Sequence, residues 1–133
     1  MKKAMFTLMT IMIMIISSCS GSSNPSNTIK DFCSAISQQD EQKALSYIYF
    51  DENNKLEKAL VTFFINMAIQ QEYNFKDFKT ISKEITNDGK SAVVVVETLI
   101  TKKGKEVAEK DVTTYELVKI DNKWLISGMK ANK

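Results

Sequence analysis

Apolar residues recur at helical spacing between residues 28 and 72, and in alternation from Phe78 to Met129. Over 28–38, Ile29, Phe32, Cys33 and Ile36 share one face, as in an amphipathic helix. Thr28 and Asp31 suit a capping box with Asp in the place of Glu. A second helix is expected after Asp40 as N-cap, with Ala44, Leu45 and Ile48 inward, Tyr47 and Tyr49 flanking, and a break at 51–54. The third, over 55–72, is the most apolar. Leu56, Ala59, Leu60, Phe63, Phe64, Met67 and Ala68 make one wide face, which Val61, Ile65 and Ile69 extend. Mainly Lys58, Thr62, Asn66 and Gln70 remain as a narrow polar stripe, so the helix is expected to be buried on several sides.

Strand-like runs follow at 78–86, 91–101, 106–120 and 123–129. Short turns separate them: 87–90 with its Asp88-Gly89 hairpin signal, 102–105 with Gly104, and 121–122. Three consecutive short turns make an antiparallel meander, which gives an α+β class with three N-terminal helices and four strands. Positions 93–96 are all Val, so both faces of that strand are apolar at mid-length. An antiparallel sheet commonly leaves one face wet. The expectation is helices on one face and a second copy of the chain, a homodimer, on the other.

Composition narrows the chemistry. There is no His, and all 18 basic residues are Lys. The commonest general base and metal ligand is therefore missing, as is bidentate Arg recognition of phosphate. No catalytic or metal-binding constellation and no cofactor motif stands out. The whole chain carries a net charge of +2. Without Lys2 and Lys3 it is formally neutral, which leaves no basic field for nucleic acid.

Those two lysines precede an uncharged run at 4–16, the layout of a secretory signal and too short for a comfortable membrane span. Ile16-Ser17-Ser18-Cys19 then resembles the lipobox of bacterial lipoproteins. The resemblance implies diacylglycerol on Cys19 and cleavage before it. Several acyl chains, at about 0.8 kcal/mol per buried methylene, hold a protein stably to a membrane. The expected organisation is a signal peptide at 1–18, a lipidated cysteine and flexible tether at 19–27, and one α+β domain at 28–133. Ser20 stands where many inner-membrane lipoproteins have Asp. The expected location is thus the cell envelope, periplasm-facing, with the outer membrane favoured over the inner.

The three helices and the meander, closing with Leu117-Val-Lys-Ile-Asp-Asn-Lys-Trp-Leu-Ile126, resemble the nuclear-transport-factor-2-like superfamily. Within it, the likeness is to small exported lipoproteins of unknown function. The resemblance implies a curved four-stranded antiparallel meander wrapped around the long helix, a pocket between them, and often a sheet-mediated dimer. Enzymes of that superfamily line this pocket with Asp, His or Tyr; no such motif aligns here position by position.

The candidate pocket-lining residues are Tyr47, Phe63, Phe64, Met67, Glu97, Tyr115, Glu116 and Trp124. Glu97 and Glu116 are carboxylates on otherwise apolar alternations, and one that is buried would acquire a raised pKa and an acid–base role. Cys33 has apolar neighbours and no base, so it reads as core. The function expected from these residues is non-catalytic: a lipid-anchored module that binds a small apolar ligand or an envelope protein through the pocket or a sheet face. Two alternatives stand beside it. One is a small isomerase- or dehydratase-like enzyme using Glu97 or Glu116 with a Tyr; the other is a structural partner of an envelope protein.

Overall fold

The computed structural model describes residues 24–53 and 55–132. The expected signal peptide, Cys19 and most of the tether lie outside the described residues. Helix α1 spans Pro25–Ser37, three residues earlier than the capping-box reading. Asn24 is its N-cap, accepting from the Ser26 N–H at 3.0 Å, and Pro25 occupies the first turn, where its fixed φ costs nothing. Residues 25–27, which the sequence assigns to a tether, therefore belong to this helix, with Pro25 and Ser26 buried. Gln39 takes φ +62 to end α1. Asp40 then caps the short helix α2, Glu41–Leu45, by accepting from the Lys43 N–H at 3.1 Å. The long helix α3 spans Lys55–Gln70.

Strands β1 (Asn74–Ile85), β2 (Ser91–Thr101), β3 (Glu109–Ile120) and β4 (Lys123–Ala131) form one antiparallel sheet in the order β1-β2-β3-β4. This is the expected α+β class and the expected meander. The β3–β4 turn places both Asp121 and Asn122 at positive φ, the backbone of a type I′ hairpin that matches strand twist. Strand β1 is broken in register twice, between Lys76 and Lys79 and between Thr80 and Ser82. Asp77 takes φ +53 at the first break. Such bulges bend a strand and raise its twist.

The core lies between α1 and the inner face of the sheet. Ile29, Phe32, Cys33 and Ile36 of α1 meet Ala92, Val94 and Val96 of β2, Tyr115 and Leu117 of β3, and Trp124 and Ile126 of β4. Strand alternation explains the choice. Residues 92, 94, 96 and 98 are buried, whereas 93, 95, 97 and 99 face outward. The edges are treated differently. At β4 the chain after α2 adds a parallel bridge, with Tyr49 N–H to Ile126 O at 2.7 Å and Ile126 N–H to Tyr47 O at 2.8 Å. At β1 the edge is open, and its two bulges and Lys76, Lys79 and Lys83 discourage further pairing.

Helix α3 is where the structure departs from expectation. It rests chiefly on α1 and α2 rather than on the sheet. Of its apolar residues Ile65 is fully buried, with Val61, Ala68 and Ile69 partly so. Leu60, Phe63, Phe64 and Met67 are exposed, the two Phe each at 58%. The wide inward face is therefore corrected to a narrow one. An almost wholly apolar helix carries no period that selects a face, so packing against α1 and α2 decides it.

Candidate functional site

Because α3 is carried by the other helices, it spans the sheet without closing onto it. The space left is a cleft of about 540 Å³, within the roughly 300–1,000 Å³ typical of small-molecule sites. Phe32 and Ile36 of α1 form its floor, and Val61, Phe64, Ile65, Met67 and Ala68 of α3 form one wall. The opposite wall comes from the sheet: Phe75, Ile100, Asp111, Thr113, Tyr115, Met129 and Ala131. Tyr73 and Gln71, just past the end of α3, complete the lining. The Lys103 N–H donates to Gln71 O at 2.8 Å, and the Phe75 N–H donates to Ser37 Oγ at 3.0 Å. These bonds fix the cleft's ends to α1 and to the β2–β3 turn. A second cleft, of about 410 Å³, lies beside Leu60, Tyr49 and Ser127 and shares Val61, Phe64 and Met129 with the first.

The polar groups of the cleft are few and ordered. Asp111, Thr113 and Tyr115 sit at alternate positions of β3 and so point the same way. The Thr113 hydroxyl donates to Asp111 Oδ2 at 2.7 Å. At the buried end, Tyr115 Oη lies 3.9 Å from Cys33 Sγ. Burial pushes the Cys33 thiol up to about 12; the Tyr115 hydrogen bond opposes this shift and the Asp111 charge reinforces it. Burial also holds the Tyr115 phenol well above its ordinary range, helped by Cys33 and Asp111. At neutral pH both are therefore protonated, and Cys33 has no thiolate character. The cleft offers extensive apolar contact and one short rail of hydrogen-bonding groups.

The residues singled out in the sequence divide among several places. Phe64, Met67 and Tyr115 line the cleft. Phe63 points outward, edge-to-face with Phe64 at 5.9 Å. Tyr47 is half-buried against the core, and Trp124 is 1% exposed within it, under the Lys119 ammonium at 5.7 Å. Glu97 and Glu116 are corrected as pocket residues, because both stand on the outer face of the sheet. Glu97 lies between buried Val96 and Thr98 and pairs with Lys110 at 3.5 Å. Glu116 is exposed beside Gly128 and has the opposite parity to Tyr115. Cys19 lies outside the described residues.

The carboxylate that does line the cleft is Asp111, which sequence reasoning missed along with Thr113 and Met129. Counting by twos back from Tyr115 would have found the first two. Among the described residues no group of three or more His, Cys, Asp or Glu could hold a metal ion. None of the described helices is long and apolar enough to cross a membrane.

Residues 17–127 match the family described as Domain of unknown function (DUF4878). Among solved structures, the chain is similar to an NTF-2 like protein of unknown function from Shewanella oneidensis MR-1. The TM-score is 0.61 at 17% identity, over 80% of this chain and 94% of that one. It is also similar to a SEC-C motif containing protein from Rhodopseudomonas palustris, with a TM-score of 0.58 at 10% identity, covering 75% and 72%. A third likeness is to the intermembrane space region of chloroplast protein ARC6, with a TM-score of 0.50 at 13% identity, covering 79% and 91%. At these identities the likeness concerns the fold, which is NTF2-like. No curated protein matches the chain significantly.

Proposed function

We propose that this chain, which belongs to the DUF4878 family of domains of unknown function, is a non-catalytic, lipid-anchored binding module of the bacterial cell envelope. In this reading its ligand is a small, largely apolar molecule held in the cleft between α3 and the sheet. The observation that carries the reading is the cleft itself: about 540 Å³ of mostly apolar lining around the single rail of Asp111, Thr113 and Tyr115. Apolar walls with a few convergent polar groups are the usual make-up of a ligand site. Tyr115, the most buried group of the rail, and Cys33 beside it are both held protonated. That suits hydrogen bonding better than nucleophilic or general-base chemistry.

The membrane address belongs to the same proposal and rests on the charged start, the apolar run and Ile16-Ser17-Ser18-Cys19. It predicts that cells fed an alkyne-tagged fatty acid label the wild-type protein and leave Cys19→Ala unlabelled. Equal labelling of both would remove the anchor from the account.

Methionine methyl NMR tests the binding reading directly. Met67 and Met129 line the cleft, and the other five methionines lie in the first 14 residues, within the segment that cleavage before Cys19 removes, so these two methyls are the methionine probes of the mature protein. With the lipidated protein in phosphatidylcholine nanodiscs, octanol is expected to shift the Met67 and Met129 methyls saturably. Linear, non-saturating drift of both methyls would contradict the reading.

A further inference from the structure

Resting on the cleft reading above, we infer that the site selects a cationic amphiphile: an apolar body carrying an ammonium group that meets the Asp111 carboxylate. Among the described residues, Asp111 is the one charged side chain in the lining of the cleft. It is half-buried on the inner face of β3, opposite buried Thr98 in the β2 register. Its recorded hydrogen bond comes from a neutral group, the Thr113 hydroxyl at 2.7 Å. A carboxylate on an apolar wall is poorly solvated on that side, and a neutral hydroxyl does not cancel its charge.

Three lysines near this end of the sheet are each paired with a carboxylate other than Asp111. Lys110 points to the outer face and pairs with Glu97 at 3.5 Å. Lys102 lies over the Tyr73 ring at 5.0 Å and pairs with Glu109 at 3.8 Å. Lys105 also pairs with Glu109, at 3.4 Å. Among the described residues the charge in the lining is therefore that of Asp111, and its neighbours Tyr115 and Cys33 feel it, since the Asp111 charge disfavours ionisation of both.

Charge complementarity then separates ligands of equal hydrophobic bulk. An ammonium can donate to Asp111 while its chain lies along Ile36, Ala68 and Met129. An anionic head of the same length meets a like charge in a setting where water screens it poorly.

The test uses three eight-carbon probes, octylammonium, octanol and octanoate, titrated at pH 7 into the lipidated protein in phosphatidylcholine nanodiscs. The Met67 and Met129 methyls are the readout. Octylammonium is expected to saturate them at about a tenth of the octanol concentration, the gain of one charge-assisted hydrogen bond. Octanoate is expected to be weakest. In Asp111→Asn the ratio of octylammonium to octanol affinity should fall to about one, while octanol still saturates both methyls, which also shows that the variant is folded. Equal affinity for the three probes, or an advantage that survives in Asp111→Asn, would overturn the inference and leave the apolar cleft standing. No saturable response to any probe would overturn both.

Discussion

Trp124 carries more of the core than any other single side chain, being the largest of those almost fully buried. The Thr28 hydroxyl donates to its backbone carbonyl at 3.2 Å, tying α1 to β4, while its own Nε1 is buried with no hydrogen-bond partner among the described residues. Trp124→Ala is expected to cost about 3–5 kcal/mol in urea unfolding. Trp124→Phe should cost clearly less, because it keeps most of the ring and removes the unpaired N–H. Equal losses would show that the core does not close around this ring. Cys33 gives a pH signature. Its thiol is raised from 9.0 to about 12, so the unfolded chain loses this proton first as pH rises. Stability is full well below pH 9 and falls as pH rises through 9, by about 1 kcal/mol at pH 10. Tyr115 adds a fall of the same sign at higher pH. Cys33→Ala should flatten the decline between pH 8 and 10, and an unchanged slope would refute the assignment. The burial of Cys33 was legible in the sequence from its stripe with Ile29, Phe32 and Ile36. The place of Asp111 follows only from counting by twos back from Tyr115, because one carboxylate within an alternation of Thr, Val and Tyr looks the same until one of its neighbours is assigned to the buried face.

Between residue and fold, the turns were the most legible feature. Asp88-Gly89 and Asp121-Asn122 announce positive φ, and the strands they bound start and stop close to where alternation puts them. Strand β1 was read four residues short, starting at Phe78. Asp77 breaks the period there, and the chain absorbs the break as a bulge rather than ending the strand. Helix α1 was read three residues short because Asn24 and Pro25 resemble tether as much as cap. Two measurements check this level. Gly89 has φ +71 with nothing within 4 Å of a built Cβ, so Gly89→Ala should cost about 1 kcal/mol from backbone strain alone. On α3, Ile65→Ala should cost about 2–5 kcal/mol, whereas Phe63→Gln should stay within about 0.5 kcal/mol. The reverse order in a denaturant series would restore the wide inward face that the sequence suggested and the structure does not have.

For the whole molecule, class and strand order were legible, since three short turns leave little choice but a meander. The cleft is not a local property: it exists because α3 leans on α1 and α2 and leaves the sheet partly uncovered. The outer face of the sheet is a separate surface. Val93, Val95, Val112, Val118 and Leu125 stand there among Glu97, Lys110 and Glu116. A second copy of the chain is the proposed occupant. In sedimentation, Val95→Lys should then convert a dimer to a monomer, and a wild-type monomer would dismiss the proposal. If the cleft holds a small molecule in the cell, native mass spectrometry of the protein released gently from the envelope will find it. Wild type should carry a non-covalent adduct of a few hundred daltons, and Ala68→Trp, whose ring would fill the cleft, should lose it while remaining folded. A wild-type spectrum with no adduct, or an adduct of equal occupancy in both proteins, would contradict the account.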